Sequence, residues 1–487
     1  MNDILKSLEP QSVWHYFREI LDIPRPSKKE EKIIAYVENF GRTHKLETLR
    51  DEIGNILIRK PATAGYENRE TVILQSHLDM VCEKNSDVEH DFEKDPIQTQ
   101  MVDGWIKAKG TTLGADDGIG VAAQLAILAA NDIQHGPLEC LFTVDEETGL
   151  TGAFGLGKDF LKGKILLNLD SEDEGELFIG CAGGRDTVAI LPFRKEGIGH
   201  DYIAYHINIS GLKGGHSGDD IHRSLGNANK LLNRILWQAA KDHGIRLHHI
   251  DGGNLRNAIA REAKAEVFVP AINKKDFETD AKKLAELIKQ EYSIVEKKLE
   301  ITLREGKIED RIAASWADQQ KLLYSLYACP HGVLAWSQSI PDFVETSTNL
   351  ASVKQSDDHW IITTSQRSSV GSALTDATRM VASCFELARA KVEHSNGYPG
   401  WAPNPDSPIM KLTEKAYKKL FNQQPEVKAI HAGLECGLIG DKYPGMDMIS
   451  FGPTIKGAHS PDERIEIESV TKFWDLTLEV LKNIPVR

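Results

Sequence analysis

Short apolar runs that alternate with helix-patterned segments are the feature of this sequence that most restricts its fold. The runs cover residues 72–74, 138–144 and 165–169, and a helical pattern at residues 118–130 separates the first two. Strand-length runs interleaved with helices are typical of α/β proteins, in which helices flank a central sheet. We therefore predict an α/β fold for the first half of the chain.

Length and charge set the broad class of protein. The chain has 487 residues, which at roughly 150 residues per domain predicts two large domains or about three smaller ones. Hydrophobic residues make up 41% and charged residues 27%, which leaves enough apolar material for a core. Lys and Arg total 58 against 72 for Asp and Glu, and the resulting net charge of −14 argues against a nucleic-acid partner.

The sequence also lacks the usual signals for membranes and export. Its apolar runs are too short for a membrane span, which needs about 20 apolar residues, and residues 1–10 do not have the pattern of a secretory signal. The six cysteines are scattered and form no CxxC pair, so we expect neither disulfides nor a cysteine zinc cluster. These features predict a cytoplasmic protein without a membrane partner.

A second folding pattern begins near Asp186. Alternating apolar residues, a glycine-rich turn at residues 211–218 and further helical patterns indicate a separate α+β unit. Residues 395–408 contain four prolines and mark the clearest boundary after it. A helical stretch followed by a strand recurs at residues 224–269 and 320–365, which suggests an internal duplication.

The first motif with chemical content directly follows the first apolar run. His77 and Asp79 are separated by one residue, so the His can bind a metal while the Asp fixes the imidazole tautomer. The same two residue types are common on solvated surfaces. The motif alone therefore leaves a surface pair as the alternative.

A second motif, GADDG, opens the helix pattern at residues 118–130. A carboxylate at this turn, Asp116, can bridge two cations because each of its oxygens can bind one. The next residue, Asp117, can instead accept the free backbone N–H groups at a helix start. A helix cap is thus the structural alternative for this motif.

Three further motifs carry side chains of the metal-ligand type. Glu147 lies in DEETG after the second apolar run, Asp170 follows the third run, and His459 lies in a loop marked by Gly and Pro. Each motif alone is compatible with exposure to solvent. Together with His77 and Asp116, they would give two zinc-type ions three protein ligands each, with Asp116 shared and positions left for water and substrate.

The order of the motifs HLD, GADDG, DEETG, LDSE and GAHSPDE resembles that of the co-catalytic zinc exopeptidases. This superfamily includes carboxypeptidase G-like enzymes, aminoacylases and dipeptidases. The resemblance covers essentially the whole chain. The segments GLKGGHSG at residues 211–218 and HAGLECG at residues 431–437 are most similar to those of bacterial members that hydrolyse Xaa-His dipeptides such as β-alanyl-histidine.

The resemblance implies a fold and an oligomer. A zinc-peptidase domain with a central mixed sheet flanked by helices would be interrupted by an inserted α+β lid that also serves dimerisation. The catalytic domain would comprise residues 1–185 and 398–487, and the lid would comprise residues 186–397. The proline-rich segment agrees with the second boundary independently. We therefore expect a homodimer formed through the lid.

The resemblance further implies how the two metal ions are held. One zinc ion would bind to His77, Asp116 and Asp170, and the other to Asp116, Glu147 and His459. Because these ligands are imidazoles and carboxylates without a thiolate, cobalt or manganese could replace zinc.

Three residues around the metals acquire roles from the same resemblance. Glu146 would be the general base for a zinc-activated water, Asp79 would orient the first zinc ligand, and His216 of the lid would stabilise the oxyanion. Asp117 stands where an Asn is common among relatives, which affects no ligand. Two points stay open for His216: it could lie in an exposed turn, or act in its own or in the partner subunit.

Substrate-binding candidates come from residue chemistry. Arg367 can pair through two N–H groups with a substrate carboxylate, unless it is a plain surface arginine. Asn257 and Asn349 lie with it in strand-like segments of the lid. Glu435 is a candidate for binding the substrate amino group, and His431 in the same motif is a further candidate.

The predicted function is that of a metal-dependent dipeptidase with a small peptide substrate. Sister activities that use the same metal site are the alternatives: a tripeptidase, an N-acyl-amino-acid hydrolase or an acid carboxypeptidase. A non-catalytic metal-binding scaffold is a different class. The presence of both Glu146 and Asp79 argues against such a scaffold.

Overall fold

The computed structural model describes residues 3–487, and the chain forms two compact units. The first unit comprises the chain up to Gly180 together with Pro403–Ala429 and Leu434–Arg487. The second unit comprises Cys181–Ala402 and the short segment Ile430–Gly433. The first unit is therefore built from both ends of the chain.

The amino-terminal segment alternates strands with helices. Helix α1 buries Val13, Phe17 and Ile20, a spacing that places them on one face. Its strands are β1 (Glu47–Arg50), β2 (Ile56–Lys60), β3 (Val72–His77), β4 (Thr99–Val102), β5 (Trp105–Ala108), β6 (Leu138–Thr143), β7 (Ile165–Asn168) and β8 (Glu176–Cys181). Its helices are α1 (Gln11–Leu21), α2 (Glu31–Thr43), α3 (Ala115–Ala129), α4 (Glu146–Gly149) and α5 (Thr151–Gly155).

The central segment has longer strands and four α-helices. Helix α6 begins where the Asn227 side chain accepts the backbone N–H of Lys230, and it ends at Gly244, whose φ of 66° is left-handed. The strands are β9 (Gly183–Pro192), β10 (Lys195–Gly197), β11 (Tyr202–Ser210), β12 (Arg246–Gly252), β13 (Ala263–Pro270), β14 (Glu300–Gly306), β15 (Ile312–Ala314), β16 (Gly332–Trp336), β17 (Val344–Gln355), β18 (His359–Ser368) and β19 (Lys391–His394). The helices are α6 (Ala228–His243), α7 (Lys274–Glu291), α8 (Trp316–Ala328) and α9 (Gly371–Leu387).

The carboxyl-terminal segment returns to the first unit. Helix α10 begins with Pro408 at its first position, after Ser407 accepts the backbone N–H of Met410. The strands are β20 (Glu426–Ile430), β21 (Asp447–Ser450), β22 (Ile455–Lys456) and β23 (Arg464–Glu466). The helices are α10 (Pro408–Phe421), α11 (Glu435–Lys442) and α12 (Ile467–Asn483).

An eight-stranded sheet in the order β1-β2-β6-β3-β7-β21-β8-β20 forms the core of the first unit. The central strands β6, β3, β7 and β21 are parallel, while β1, β2 and β8 pair in antiparallel fashion. Every residue of β3 and of β6 is buried. Burial on both faces explains why these strands are continuous apolar runs in the sequence. The predicted α/β fold with a central mixed sheet is confirmed.

Register brings the ends of the parallel strands to one edge of this sheet. His77 at the end of β3 pairs with Thr143 at the end of β6, and Gln75 pairs with Asn168 at the end of β7. The residues that follow these three strands are therefore neighbours at the carboxyl edge. A separate four-stranded sheet, β22-β23-β5-β4, holds the loop between β22 and β23 that carries His459.

The second unit contains a nine-stranded sheet with a repeated topology. The order is β14-β11-β13-β12-β17-β18-β9-β19, with β16 paired to β17. One half has the chain order β11-α6-β12-β13-α7-β14, and the other half has the order β9-α8-β17-β18-α9-β19. The two halves meet at β12 and β17, where Gly252 pairs with Val353. This arrangement agrees with the internal duplication suggested by the sequence, and it adds that one half is inserted into the other.

Two further features concern the whole described chain. Among residues 3–487, no helix combines the length and the apolar composition that crossing a membrane requires. None of the six cysteines forms a disulfide within the same residues.

Candidate metal centre and substrate-binding cluster

The carboxyl edge of the central sheet gathers the first set of predicted ligands. His77 ends β3, Glu146 and Glu147 begin the short helix α4 just after β6, and Asp170 follows β7 by two residues. Asp116 comes from the turn that opens α3, which packs against β3. Because β6, β3 and β7 are neighbours in the sheet, residues far apart in the sequence converge at this edge.

The distances among the five predicted ligands match those within a metal site. Nε2 of His77 lies 3.1 Å from Oδ1 of Asp116 and 3.4 Å from Oδ1 of Asp170. Nε2 of His459 lies 3.2 Å from Oδ2 of Asp116 and 3.0 Å from Oε2 of Glu147. Two ligands on one tetrahedral zinc, each bound at about 2.0 Å, are roughly 3.3 Å apart, so the spacing suits a shared ion in each group.

Asp116 occupies the position of a bridging ligand. One of its oxygens faces His77 and the other faces His459. Two groups of potential ligand atoms result, each within 4.8 Å: His77 with Asp116 and Asp170, and Asp116 with Glu147 and His459. Oε1 of Glu147 is buried without a hydrogen-bond partner among residues 3–487, so it is also available to a cation. The residues present therefore fit two divalent ions.

Burial rules out the surface alternatives for the HLD and DEETG motifs. The side chain of His77 is 1% exposed and that of Asp79 is 0% exposed. The Glu147 side chain is 5% exposed, so the DEETG carboxylates are not simply solvated. His459 is the most accessible member of the site, with 54% of its side chain exposed.

Asp79 holds two parts of the site at once. Its Oδ1 lies 3.3 Å from Nδ1 of His77 and accepts the backbone N–H of Glu146 over 3.0 Å. Its Oδ2 accepts the backbone N–H of Glu147 and the hydroxyl of Ser27. With Asp79 next to Nδ1, the ring of His77 has Nε2 facing the carboxylates.

Two positioning residues had no signal in the sequence analysis. Glu463 is buried, and its carboxylate accepts the backbone N–H groups of Leu113, Gly114 and Ala115 just before Asp116. Arg25 is also buried and donates to backbone oxygens of the turns that carry Asp79 and Gly114. Only contacts over long sequence separations define these roles. The GAHSPDE motif contains Glu463 but does not point to its partner.

The pKa values describe a strongly acidic pocket. Burial raises the pKa of the Asp170 carboxyl and that of the Glu146 carboxyl well above their ordinary values. Burial also raises the pKa of Glu172 to about 8. Hydrogen bonds to Asp116 and Glu147 raise the pKa of His459 to about 11. Carboxylates packed this closely stay ionised together only beside compensating positive charge, which divalent cations supply.

Asp117 takes the structural role that was its alternative. Its Oδ1 accepts the backbone N–H of Gly120 over 3.2 Å, as a helix cap does. Within the GADDG motif, Asp116 therefore fits the interpretation as a bridging metal ligand, and Asp117 fits the interpretation as a helix cap.

Glu435 lies in the interior of the first unit. Its side chain is completely buried, and Oε2 accepts hydrogen bonds of 2.6 Å from both Gln75 and Thr143, on β3 and β6. Its Oε1 has no hydrogen-bond partner among the described residues. Burial raises the pKa of Glu435 to about 7.

In the second unit, Arg367 and His216 belong to one cluster. Arg367 on β18 is only 7% exposed, which excludes a plain surface arginine. Its Nη1 donates to the hydroxyl of Tyr398 over 3.2 Å, and its Nη2 lies 3.4 Å from Nε2 of His216. No carboxylate within residues 3–487 lies within ion-pairing distance of the guanidinium. We call His216, Arg367 and Tyr398 the Arg367 cluster.

Three other predicted substrate residues, Asn349, Asn257 and His431, belong to the second unit as well. Asn349 is buried, and its Nδ2 donates to backbone oxygens of Arg256 and Ala258. Asn257 in that same segment has an exposed side chain, while its backbone oxygen accepts the N–H of Ser217. His431 is buried with Nε2 2.7 Å from the Ser347 hydroxyl.

This α/β unit has two overlapping sets of imidazole and carboxylate side chains at the edge of its sheet. That is the architecture of a metal-dependent hydrolase. Residues 73–483 match Peptidase family M20/M25/M40, and the chain belongs to this family. It is therefore a peptidase, a hydrolase that acts on peptide bonds. The enzyme class predicted from the motifs is confirmed.

Relatives of known identity are similar over the full chain. The cytosol non-specific dipeptidase of Escherichia coli (strain K12) is 46% identical over 483 residues, which are 99% of each chain. The crystal structure of aminoacylhistidine dipeptidase from Vibrio alginolyticus is 44% identical, covers 100% of both chains and superimposes with a TM-score of 0.94. Aminopeptidase PepT from Bacillus cereus ATCC 10987 has the same fold at 16% identity, with a TM-score of 0.59 and coverage of 98% of this chain and 99% of its own.

Proposed function

We propose that this protein is a dipeptidase that holds two zinc ions and hydrolyses dipeptides, among them Xaa-His substrates such as β-alanyl-histidine. The observation that carries the proposal is Asp116, whose two oxygens face two different histidines, each of which has a further carboxylate beside it. Cobalt or manganese should substitute for zinc, because the ligands are nitrogen and oxygen donors.

The metal ions would be held as the residue geometry suggests. His77, Asp116 and Asp170 would bind one, and Asp116, Glu147 and His459 the other. When bound, such ions supply a Lewis acid for the scissile carbonyl and lower the pKa of water to about 7. Glu463 contributes by fixing the turn that presents Asp116.

Glu146 is the general base in this proposal. It lies with His77 and Glu147 in one group of carboxylate and imidazole atoms within 4.8 Å, but it is absent from both of the ligand sets above. Asp79 fixes its backbone, so the carboxylate is held beside the ligands rather than free in solvent. Glu146 would accept a proton from the attacking water and pass it to the departing amine.

The carboxyl end of the substrate is assigned to Arg367. Burying a guanidinium that has no carboxylate partner in its own unit costs free energy, and a bound anion would offset that cost. The planar fork of Arg suits the two oxygens of a terminal carboxylate. Asn349 and Asn257 would support the carboxylate-binding site from the neighbouring segment, and His431 would be part of its lining.

The amino end of the substrate is assigned to Glu435. Its Oε2 is already satisfied by Gln75 and Thr143, whereas Oε1 keeps its acceptor capacity. A buried carboxylate oxygen of this kind suits a substrate ammonium group. An N-acylated amino acid lacks that charge, which favours a dipeptidase over an N-acyl-amino-acid hydrolase.

His216 is proposed to stabilise the oxyanion that forms as the peptide carbonyl is attacked. Its position beside Arg367 supports action on the same substrate molecule that Arg367 binds. A contact made mainly in the transition state contributes to kcat rather than to binding.

The two full-length relatives support a broad dipeptide range. One is named a non-specific dipeptidase, and the other an aminoacylhistidine dipeptidase. We accordingly propose a dipeptidase that accepts a carboxyl-terminal His without requiring it. A homodimer formed through the second unit and a cytoplasmic location, as in the name of the Escherichia coli relative, complete the proposal.

A release assay on the zinc-loaded enzyme tests this function. The substrates are β-alanyl-histidine, Gly-His, Gly-Leu, a tripeptide and N-acetyl-Gly-His. The free dipeptides should be cleaved, the acetylated one should be cleaved much more slowly, and a chelator should abolish the activity until zinc is restored. Full activity in protein that elemental analysis finds free of metal would contradict the proposal, and so would preferential cleavage of the acetylated substrate.

A further inference from the structure

We propose that Asp219 is a positioning residue for His216: its carboxylate holds the Nδ1 side of the imidazole, so that Nε2 is directed to Arg367. The inference rests on the proposed function of His216. Oδ2 of Asp219 lies 2.9 Å from Nδ1 of His216, three residues earlier in the GGHSGD turn.

The partners on the two sides of the ring agree with one tautomer. A guanidinium only donates, so Nη2 of Arg367, 3.4 Å from Nε2 of His216, faces the lone pair of that nitrogen. The ring proton is then on Nδ1, where the Asp219 carboxylate accepts it. The order carboxylate, imidazole and guanidinium thus places complementary charge at both ends of the ring.

The charge of Asp219 suits this role. Burial by itself raises the pKa of Asp219, but His216 and Arg367 lower it below its ordinary value, so the carboxylate is ionised. Its side chain is 53% exposed, and solvent therefore weakens the pair without removing it. The adjacent Asp220 has a different task, because it accepts the backbone N–H of His216 and pairs with Arg223.

A competing arrangement exists in the same turn. The backbone N–H groups of Gly218 and Asp219 lie 3.4 Å and 3.2 Å from Nδ1 of His216. If these amides fix the orientation of the His216 ring, Nδ1 would be the acceptor and the ring proton would be on Nε2. The Asp219 side chain would then be dispensable, which makes the two accounts separable by substitution.

The consequence for catalysis follows from the ring orientation. An imidazole held at Nδ1 by the Asp219 carboxylate keeps Nε2 beside Arg367. Once Arg367 pairs with the substrate instead, Nε2 can take up a proton from solvent and donate a hydrogen bond to the oxyanion. The carboxylate stabilises the imidazolium that results. Removal of the carboxylate should therefore lower kcat and leave KM almost unchanged.

A double-mutant cycle on the zinc-loaded enzyme tests the proposal with Gly-His as substrate. Asp219→Ala should lower kcat about tenfold, the low end of the 10- to 100-fold range known for carboxylates that orient metal-bound histidines, because the pair is half-exposed. In a His216→Ala background, Asp219→Ala should have no further effect. An equal loss in both backgrounds would overturn the proposal. Asp219→Asn, which preserves the shape of the turn, should lower kcat less and unfold at the wild-type temperature.

Asp280 offers a matched control. Its carboxylate lies 3.1 Å from Nε2 of His243 in the same unit and is 55% exposed, so Asp280→Ala also removes a half-exposed partner of a histidine. This variant should keep the wild-type kcat. A comparable loss in Asp280→Ala would assign the effect to lost surface charge and overturn the specific role of Asp219.

Ring ¹⁵N NMR separates this inference from the function on which it rests. In enzyme labelled at histidine nitrogens, the His216 signals are those missing from His216→Ala. Wild type should have the proton on Nδ1, and Asp219→Ala should shift it to Nε2; an unchanged tautomer would overturn the proposal. If His216→Ala retained full kcat, the oxyanion role of His216 would fail, while the NMR result would still decide whether Asp219 holds the ring.

Discussion

Oδ1 of Asp79 accepts the backbone N–H of Glu146 over 3.0 Å, and this same oxygen lies 3.3 Å from Nδ1 of His77. One buried carboxylate thus fixes both a proposed metal ligand and the proposed general base. Because one carboxylate makes both contacts, a substitution of Asp79 should disturb the orientation of His77 and that of Glu146 together.

Asp79→Ala should therefore weaken zinc binding and lower kcat together. Loss of the carboxylate behind a metal-bound histidine typically costs about 10- to 100-fold in metal affinity. Calorimetric zinc titration of the apoprotein gives the affinity, and kcat at saturating zinc gives the second effect. Ser27→Ala is the matched control, because it removes one donor to Asp79 and leaves the carboxylate in place, so its effects should be several-fold smaller. Wild-type zinc affinity in Asp79→Ala would contradict the assignment.

Glu146 and Glu147 are adjacent, but substituting them should affect different quantities: kcat for Glu146 and metal content for Glu147. Glu146→Gln keeps the ligands and removes the base, so kcat should fall by about 10² to 10⁴ while metal content stays near that of wild type. Glu147→Gln should instead lose metal, because Oε2 of Glu147 is 3.0 Å from His459 in one ligand group. Elemental analysis and steady-state kinetics on the same preparations distinguish them. Reversed phenotypes would exchange the two roles.

The sequence could predict those parts of the site that follow buried strands. His77 ends β3, and Glu147 and Asp170 come shortly after β6 and β7; in a parallel sheet the carboxyl ends of neighbouring strands lie at one edge. The alternation of apolar runs with helical patterns predicted the α/β class. These runs are continuously apolar because their strands are buried on both faces. Such inferences need only local pattern and a general rule of topology.

The remaining features depend on pairings that local patterns do not encode. Glu463 reaches back about 350 positions to the backbone before Asp116, and Arg25 reaches forward to Asp79 and Gly114. Asp219 is one of two consecutive acids in its turn, and only the folded geometry distinguishes the one that faces the His216 ring. Their sequence neighbourhoods resemble those of ordinary charged residues.

Arg367→Lys should separate charge from geometry at the proposed carboxylate site. Lysine keeps the positive charge but loses the planar fork, so kcat/KM for Gly-His should fall by roughly 1.5 to 3 kcal/mol, the range for hydrogen bonds to charged groups. Arg367→Ala should lose more. The diagnostic measurement is the preference for Gly-His over Gly-His amide, which should shrink in both variants.

Arg256→Lys is the control for that series, since Arg256 is an exposed arginine of the same unit that pairs with Asp186. It should leave the preference unchanged. An undiminished preference for the free carboxylate in Arg367→Ala would place the recognition of the carboxyl end elsewhere.

His431 should make the protein less stable in mild acid. Burial, with the nearby Arg367, lowers the pKa of His431 to about 3. Below the ordinary pKa of about 6.5, the unfolded chain takes up a proton at this residue and the folded chain does not, so the free energy of unfolding falls by up to ~1.4 kcal/mol per pH unit. His431→Gln should reduce the loss between pH 7 and pH 5 by about 2 kcal/mol, measured by urea unfolding. The exposed His200→Gln should not, and equal losses in wild type and His431→Gln would contradict the assignment.

His216 and Arg367 come from different halves of the duplicated sheet, yet they meet within one chain, with Nε2 and Nη2 3.4 Å apart. If both groups act on one substrate molecule, a single chain must supply both. Mixing His216→Ala subunits with Arg367→Ala subunits should then recover no activity, because each chain still lacks one group. If His216 instead served a substrate held by the Arg367 of the partner subunit, heterodimers would contain one site with both groups, and activity would return toward half that of wild type per mixed dimer. Differently tagged subunits allow heterodimers to be isolated and sized before the assay, and recovered activity in that fraction would contradict joint action within one chain.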